Sequence, residues 1–466
     1  MLSFTRSLIF YGAGTVTDEN VQACQHIQEA RAMRQKYFGR KGMSAGMDIL
    51  KQNHGLTFAF GTNGVVEIFH QSGPYTTKNL CPVPSIDEFH KDYKRFVHML
   101  NDGAMRSFCF QRLQLLSSAF KMHVTANGAM ESQEQSQLLG TDFYRTMKVD
   151  NHIHAAAAPS VKHFVNFVRN KLENEGDVVV SENGKTLVEI FSDAGMDSDH
   201  LTIDAFNVLA DYSVYQRFDN FNTKYSPFRM ADMRRIFLKT TNHMDGKYFA
   251  ELLKGVFARH ESSKGHKSAV EMRLSIYGME RHEWLDLAKW MLRDWDGDYP
   301  GPVLSSHNRW LIQIPRLWRI YRGKASDRSF QEMMDNLFVP IFEATMCPQE
   351  HPEVAELLKN IVGFDSVDDE GAHEENCSNE RPTKWTQESN PAYWWQLYYI
   401  WANLEVLNQL RIAKGLNPLA FRPHAGETGD PMHLAATYLL CPSINHGINL
   451  HSQVSLQYLY YLDQVS

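Results

Sequence analysis

From Lys148 onward the sequence alternates short apolar runs with longer stretches of helical periodicity, and that alternation restricts the chain to an α/β architecture with a parallel sheet. The runs expected to be strands are Lys148–His154, Val270–Tyr277, Arg309–Ile314, Val362–Ser366, Leu419–His424 and Ile444–Leu450. Helical segments lie between them, among them His163–Lys171, Glu283–Arg293, Phe330–Phe342 and Tyr393–Lys414. Asp294–Pro302 (DWDGDYPGP) reads as a loop from its Gly and Pro content, and the acidic stretch Asp368–Ser389 reads as a surface loop. Six strands are too few to close an eight-stranded barrel.

Residues 1–145 have a different texture and form an α+β extension preceding a unit that spans 146–466. Leu56–His70 (LTFAFGTNGVVEIFH) is two strand-like runs around a Thr-Asn-Gly turn, a hairpin signal. IDEFHKDYKRFVHMLNDG has helical spacing and closes with Gly103, and a second amphipathic stretch runs from Met105 to His123. The opening MLSFTRSLIFYGAG has too brief an apolar run for a secretory signal or a membrane span. Six cysteines without a CxxC pair fit thiols in a reducing compartment, so a soluble cytoplasmic protein is expected. A formal net charge of −7 argues against a binder of nucleic-acid polymers, although it leaves room for a local basic pocket.

Three short motifs carry chemistry. In VDNHIHA, His152 and His154 stand two residues apart at the end of a strand, so both imidazoles can face one ion. With 21 histidines in the chain, roughly one such spacing arises by chance, and two hydrogen-bonded strand histidines fit the same text equally well. In FRPHAGETGD a strand ends in His424 and a carboxylate follows at Glu427. The alternative there is a polar turn capped by Glu427 and Thr428. In SINHGINL, His446 ends another strand before a glycine, where loop carbonyls could also satisfy it. Histidines at three separate strand ends are harder to explain structurally than any one alone, because barrel active sites gather at that rim.

VDNHIHAAA, FNTKYSP, RLSIYG, RWLIQIPRL, GFDSVDDE, FRPHAGE and HGINL follow one another as they do in AMP deaminases, within the adenosine/AMP deaminase superfamily of metal-dependent hydrolases. The chain resembles that family from about residue 85 to Ser466, including RSFCFQRLQLLSSAFKMHV, TDFYRTMKVD and LQYLYYLDQV. The resemblance implies a TIM-type (β/α)8 barrel and hydrolysis of AMP to IMP and ammonia. It implies Zn2+ on His152, His154 and His424, with hydroxide attacking purine C6. By the same resemblance His446 would assist deprotonation and Glu427 would protonate N1. Asn220, Phe221, Asn222, Thr223, Lys224 and Tyr225, with His154 and Glu427, would contact substrate. Lys224 is the candidate partner of the 5′-phosphate, with a solvated surface lysine as its alternative reading. The Asp365–Glu370 run would shape the pocket rim or form a charged surface loop.

Ala425 departs from the family, which usually has Cys at that place. The family's last two strands, with an Asp zinc ligand and a neighbouring Asp, are expected beyond Ser466, leaving the barrel incomplete over these residues. A homo-oligomer is expected from the resemblance. Adenosine deaminase, or an inactive relative that binds nucleotide or a partner, are the competing readings.

Overall fold

The computed structural model describes residues 17–38, 47–52, 54–71, 77–142, 145–195, 201–202, 231–262, 268–324, 328–367, 370–375 and 380–465. Its centre is a parallel sheet of five strands, β3 (Lys148–His154), β4 (Ser268–Ser275), β5 (Asn308–Pro315), β6 (Ile361–Val367) and β9 (Ala420–Phe421), hydrogen-bonded in that order. This is an α/β fold in which each strand lies beside its predecessor. β10 (His424–Ala425) and β11 (Asn445–His446) form a parallel pair directly after β9. Parallel neighbours require a crossover, which the intervening helices supply. Val161–Glu175 and Lys247–Glu261 lie between β3 and β4, and Glu283–Leu292 lies between β4 and β5. Phe330–Met346 and Pro352–Asn360 lie between β5 and β6, and Tyr393–Ala413 follows before β9.

β5 is buried along nearly its whole length, as a strand covered on both faces must be, which accounts for the apolar residues of WLIQIP on both of its faces. The expected strand Leu419–His424 is interrupted. Pro423 lacks an amide to donate, and pairing resumes only at His424. The expected strand Ile444–Leu450 shrinks to Asn445–His446, because Gly447 turns the chain at φ 65° into a 3-10 helix, Ile448–Ser452. The stretch 368–389 differs from a surface loop over its described residues. β7 (Glu374–Glu375) pairs with β8 (Asn390–Pro391), and both Glu370 and Trp385 are buried.

In the extension, β1 (Leu56–Phe60) and β2 (Val66–His70) form the antiparallel hairpin, with Gly64 at φ 81° in its turn. The first long helix, α1 (Asp18–Phe38), precedes it, and α2 (Ile86–Leu100) follows, opened by a reciprocal Ser85–Glu88 capping box. Gly103 does not close α2. Asp102 accepts a hydrogen bond from the Met105 amide and caps α3 (Gly103–Gln137), so the glycine opens the next helix. α3 buries only Met105 and Cys109. Leu113 and Leu116 pack partly buried against the core, and beyond them its apolar residues face outward, with Phe120 67% exposed.

The extension is held to the last helices of the chain. Arg34 of α1 is buried and donates to the carbonyls of Tyr438 and Cys441, at the end of helix α4 (His433–Leu440). Those carbonyls have no partner inside the helix, and the guanidinium supplies one. Arg31 pairs with Asp463 at 2.7 Å, just after helix Val454–Leu462. The hairpin is pinned by Asn403, whose side chain accepts from the Val66 amide at 2.8 Å and donates to the Gly64 carbonyl at 3.3 Å. Among the described residues no helix is long and apolar enough to cross a membrane.

Asn403 is fully buried, so replacing it with Leu strands the Val66 amide away from water. Asn403→Leu is expected to cost about 1–3 kcal/mol in a urea-unfolding measurement. An unchanged midpoint and slope would show that the hairpin does not depend on this contact.

Candidate active site

Four imidazoles meet at the carboxyl ends of β3, β10 and β11. The ring centres of His152 and His424 are 4.7 Å apart, those of His152 and His446 4.5 Å, and those of His424 and His446 4.7 Å. His154 stands 5.6 Å from His152 and 5.4 Å from His424. His152, His424 and His446 each offer a ring nitrogen, and these three atoms lie within 4.8 Å of one another. The geometry therefore places His446 as close to the shared point as His152 and His424, with His154 one ring further along β3.

Local backbone features aim these side chains. The β3–β4 register shifts between Asp150 and Ile153, and in that interval the His152 amide donates to Asp150 Oδ1 at 3.1 Å. His446 takes φ 70°, a left-handed conformation that a non-glycine residue holds only when its surroundings impose it. The β10–β11 register sets His424 beside Asn445 and Ala425 beside His446.

Beneath the imidazoles lies a buried ion pair. Asp365 of β6 is 0% exposed and Arg273 of β4 is 2% exposed, and Arg273 Nε donates to Asp365 Oδ2 at 2.6 Å. Asp365 Oδ1 accepts from the His424 amide at 3.0 Å and from its Nδ1 at 2.8 Å. That bond fixes the tautomer and leaves Nε2 with its lone pair toward the other rings. Arg273 also donates to the Asn151 carbonyl at 3.1 Å and to Asn445 Oδ1 at 3.0 Å. One guanidinium thus touches β3, β6 and the residue before His446.

Electrostatics keep three of the imidazoles, His152, His154 and His446, uncharged. Burial, then the neighbouring His424, pushes His152 down to about 2 and His154 to about 3, and the same two causes push His446 to about 4. Burial alone would raise the Asp365 carboxyl, but His424 and Arg273 hold it well below the usual carboxylate range. Imidazole nitrogens backed by a carboxylate are a donor set that zinc takes.

Glu427 lies on the turn after β10, with Oε2 3.5 Å from His446 Nε2. Its amide donates to Glu370 Oε1 at 3.2 Å, and the Gly426 amide donates to Glu370 Oε2 at 2.7 Å. Gly426 is required here, since it sits at φ 69° and a Cβ would lie 2.8 Å from Leu434. Asn220, Phe221, Asn222, Thr223, Lys224 and Tyr225 lie outside the described residues. Sequence reading did not single out Arg273 and treated Glu370 and Asp365 only as rim or loop. A signal for Arg273 was available, because an arginine inside the apolar run VEMRLSIY must find a buried partner.

Comparison with known proteins decides the lineage. The family model for AMP deaminase matches residues 41–466. The chain belongs to the AMP deaminase family. It is 42% identical to an AMP deaminase of Dictyostelium discoideum, an alignment covering 86% of this chain and 51% of that protein. It is 41% identical to an AMP deaminase of Arabidopsis thaliana over 86% of the chain and 47% of the relative. With AMP deaminase 3 of Homo sapiens the identity is 39%, over 88% and 52%. The chain spans about half the length of these curated relatives.

In this family member the ring of His433, the first residue of α4, lies between two acids. Nδ1 is 3.2 Å from Glu370 Oε2 and Nε2 is 3.0 Å from Glu374 Oε1. Burial opposes its charge, but the hydrogen bonds to Glu370 and Glu374 carry it up to about 9. Arg316 also reaches Glu374 at 3.1 Å, and Tyr393 stacks on the His433 ring at 4.2 Å while donating to the His424 carbonyl at 2.6 Å. A raised folded-state value means that the stabilisation is complete below the ordinary histidine value of 6.5 and is lost as pH rises through about 9. Urea-unfolding free energies of wild type and His433→Gln should therefore differ most near pH 6.5 and converge above about pH 9. A difference that grows toward alkaline pH would contradict a protonated His433.

Proposed function

We propose that this chain carries the catalytic machinery for hydrolytic deamination of AMP to IMP and ammonia. The observation that carries the reading is the meeting of His152, His154, His424 and His446 at one rim, with Glu427 3.5 Å from His446, in a member of the AMP deaminase family. Retention of this whole group favours an active enzyme over an inactive binder. The expected (β/α)8-type barrel is the companion proposal. It is supported by consecutive parallel strand order, which is how barrel staves follow one another, and by the site's position at the strands' carboxyl ends. Cytoplasmic location and a homo-oligomeric state are retained as parts of the same reading.

The donor set fits Zn2+, and His152, His154 and His424 are the proposed ligands, with His446 beside them. When bound, zinc lowers the pKa of a coordinated water and so supplies a nucleophile near neutral pH. The protein's residues do the remaining work. As a neutral imidazole, His446 can accept a proton from the attacking water and orient its oxygen toward purine C6. Glu427 would deliver a proton to N1, which draws electron density from C6 and opens it to attack. Asp365 holds His424 in one orientation throughout, and Arg273 keeps that carboxylate charged. The proton held by His446 passes to the amino group, which leaves as ammonia, while the C6 hydroxyl returns a proton to Glu427 and becomes the carbonyl of IMP. AMP is proposed over adenosine because a phosphate dianion can recruit charge-assisted donors, each worth about 1.5–3 kcal/mol.

Ammonia release measured with AMP and with adenosine should give a higher kcat/KM for AMP, and equal values would move the assignment to adenosine. Glu427→Gln should lower kcat by roughly two orders of magnitude or more with zinc content unchanged, since Gln cannot cycle a proton. Near-normal turnover would remove Glu427 from that role. Metal analysis of the purified protein is expected to find zinc that His424→Ala loses. Chelation should also lower the wild-type melting temperature, because metal bound only to the folded state stabilises it. A melting temperature indifferent to chelator and zinc would refute the metal centre.

A further inference from the structure

Glu427 sits on a turn that nothing in its own sequence makes rigid. Gly426 and Gly429 flank it at φ 69° and 68°, and glycines in such a turn leave the backbone many alternatives. A proton-transfer group needs the opposite, a fixed position within a fraction of an ångström. One face of the turn is tied to the segment bearing His446, since the Gly447 amide donates to the Ala425 carbonyl at 3.0 Å and the Asn449 amide to the Gly426 carbonyl at 2.8 Å. The other face meets Glu370.

We infer that Glu370 is the positioning residue for Glu427. Its two carboxylate oxygens accept from the Gly426 and Glu427 amides at 2.7 and 3.2 Å, fixing both peptide planes from which the Glu427 side chain departs. The backbone closes on the same turn, because a Cβ added to Gly429 would lie 2.0 Å from the Glu370 carbonyl oxygen. Behind it, His433 donates to Oε2 from 3.2 Å and is itself braced by Glu374, by the stacked Tyr393 ring and, through Glu374, by Arg316. Glu370 is 4% exposed, and burying a carboxylate there is costly unless its lone pairs are used. They are used on the turn that carries the proposed acid. Hydrogen bonds from two amides to one carboxylate are stronger and shorter than neutral ones, so the clamp converts a glycine-rich turn into a rigid mount.

The inference rests on the proposed role of Glu427, and its test separates the two. In Glu370→Gln one acceptor becomes a donor facing an amide N–H, while size and shape persist. Hydrogen exchange at the Gly426 and Glu427 amides needs no substrate and should become at least about tenfold faster in the variant. With AMP, kcat per active site, counted by titration with a tight-binding inhibitor, should fall about 10²-fold with KM within about twofold and zinc content unchanged. A merely structural role would instead reduce the count of active sites and leave kcat per site intact, which would overturn the inference. Equal amide protection in wild type and variant would overturn it as well, whatever the substrate proves to be. If wild type does not deaminate AMP, the functional reading fails, and the exchange measurement still decides the clamp. Should Glu370→Gln fail to fold, His433→Gln leaves the carboxylate in place but removes its brace. It should show the same kcat loss to a smaller degree, and unchanged kcat and exchange would refute the arrangement.

Discussion

The Arg273–Asp365 pair is the contact on which the rest of the site depends. An ion pair taken wholly out of water adds stability only where its remaining donors and acceptors are also matched, and here they are. Three of the matches reach different strands or strand ends: Asn151 beside His152, His424 itself, and Asn445 beside His446. The pair therefore acts as a three-way joint, setting the spacing between elements that would otherwise meet only through short ladders. β10 and β11 are two residues each, too little backbone pairing to fix an imidazole by itself.

A second layer of charge surrounds the first. Glu370, His433, Glu374 and Arg316 alternate in sign across a buried region, and Tyr393 joins them to the His424 carbonyl. Alternation lets each charge be neutralised by its neighbour, which is how so many ionic groups can share a dry interior. The two layers divide the labour. One holds rings that can take a metal, and the other holds the turn that carries Glu427.

Much of this was legible in the sequence where the signal is local. The hairpin at 56–70, the strand at 309–314 (308–315 in the structure) and the histidines at three strand ends all follow from spacing and turn chemistry. Errors arose where a distant or competing group decided the outcome. Gly103 reads as a terminator until Asp102 is seen to cap the next helix, and 444–450 reads as a strand until Gly447 takes a positive φ. The acidic stretch from 368 reads as solvated because the cations that bury its glutamates stand far away in sequence, Arg316 58 residues before Glu374 and His433 63 after Glu370. Composition cannot reveal such partners, since it carries no information about which distant segments meet.

The grip of Arg34 on the end of α4 has a consequence during synthesis. The two residues it joins, Arg34 and Tyr438, are separated by 404 positions. At about 5–20 residues per second, the ribosome delivers α1 roughly 20–80 s before the carbonyls that receive it. Tyr37 can meet Phe89 as soon as α2 has been made, but the Arg34 guanidinium must wait through that interval without its acceptors. The docking of α1 on α4 thus records that the distal helices have been made.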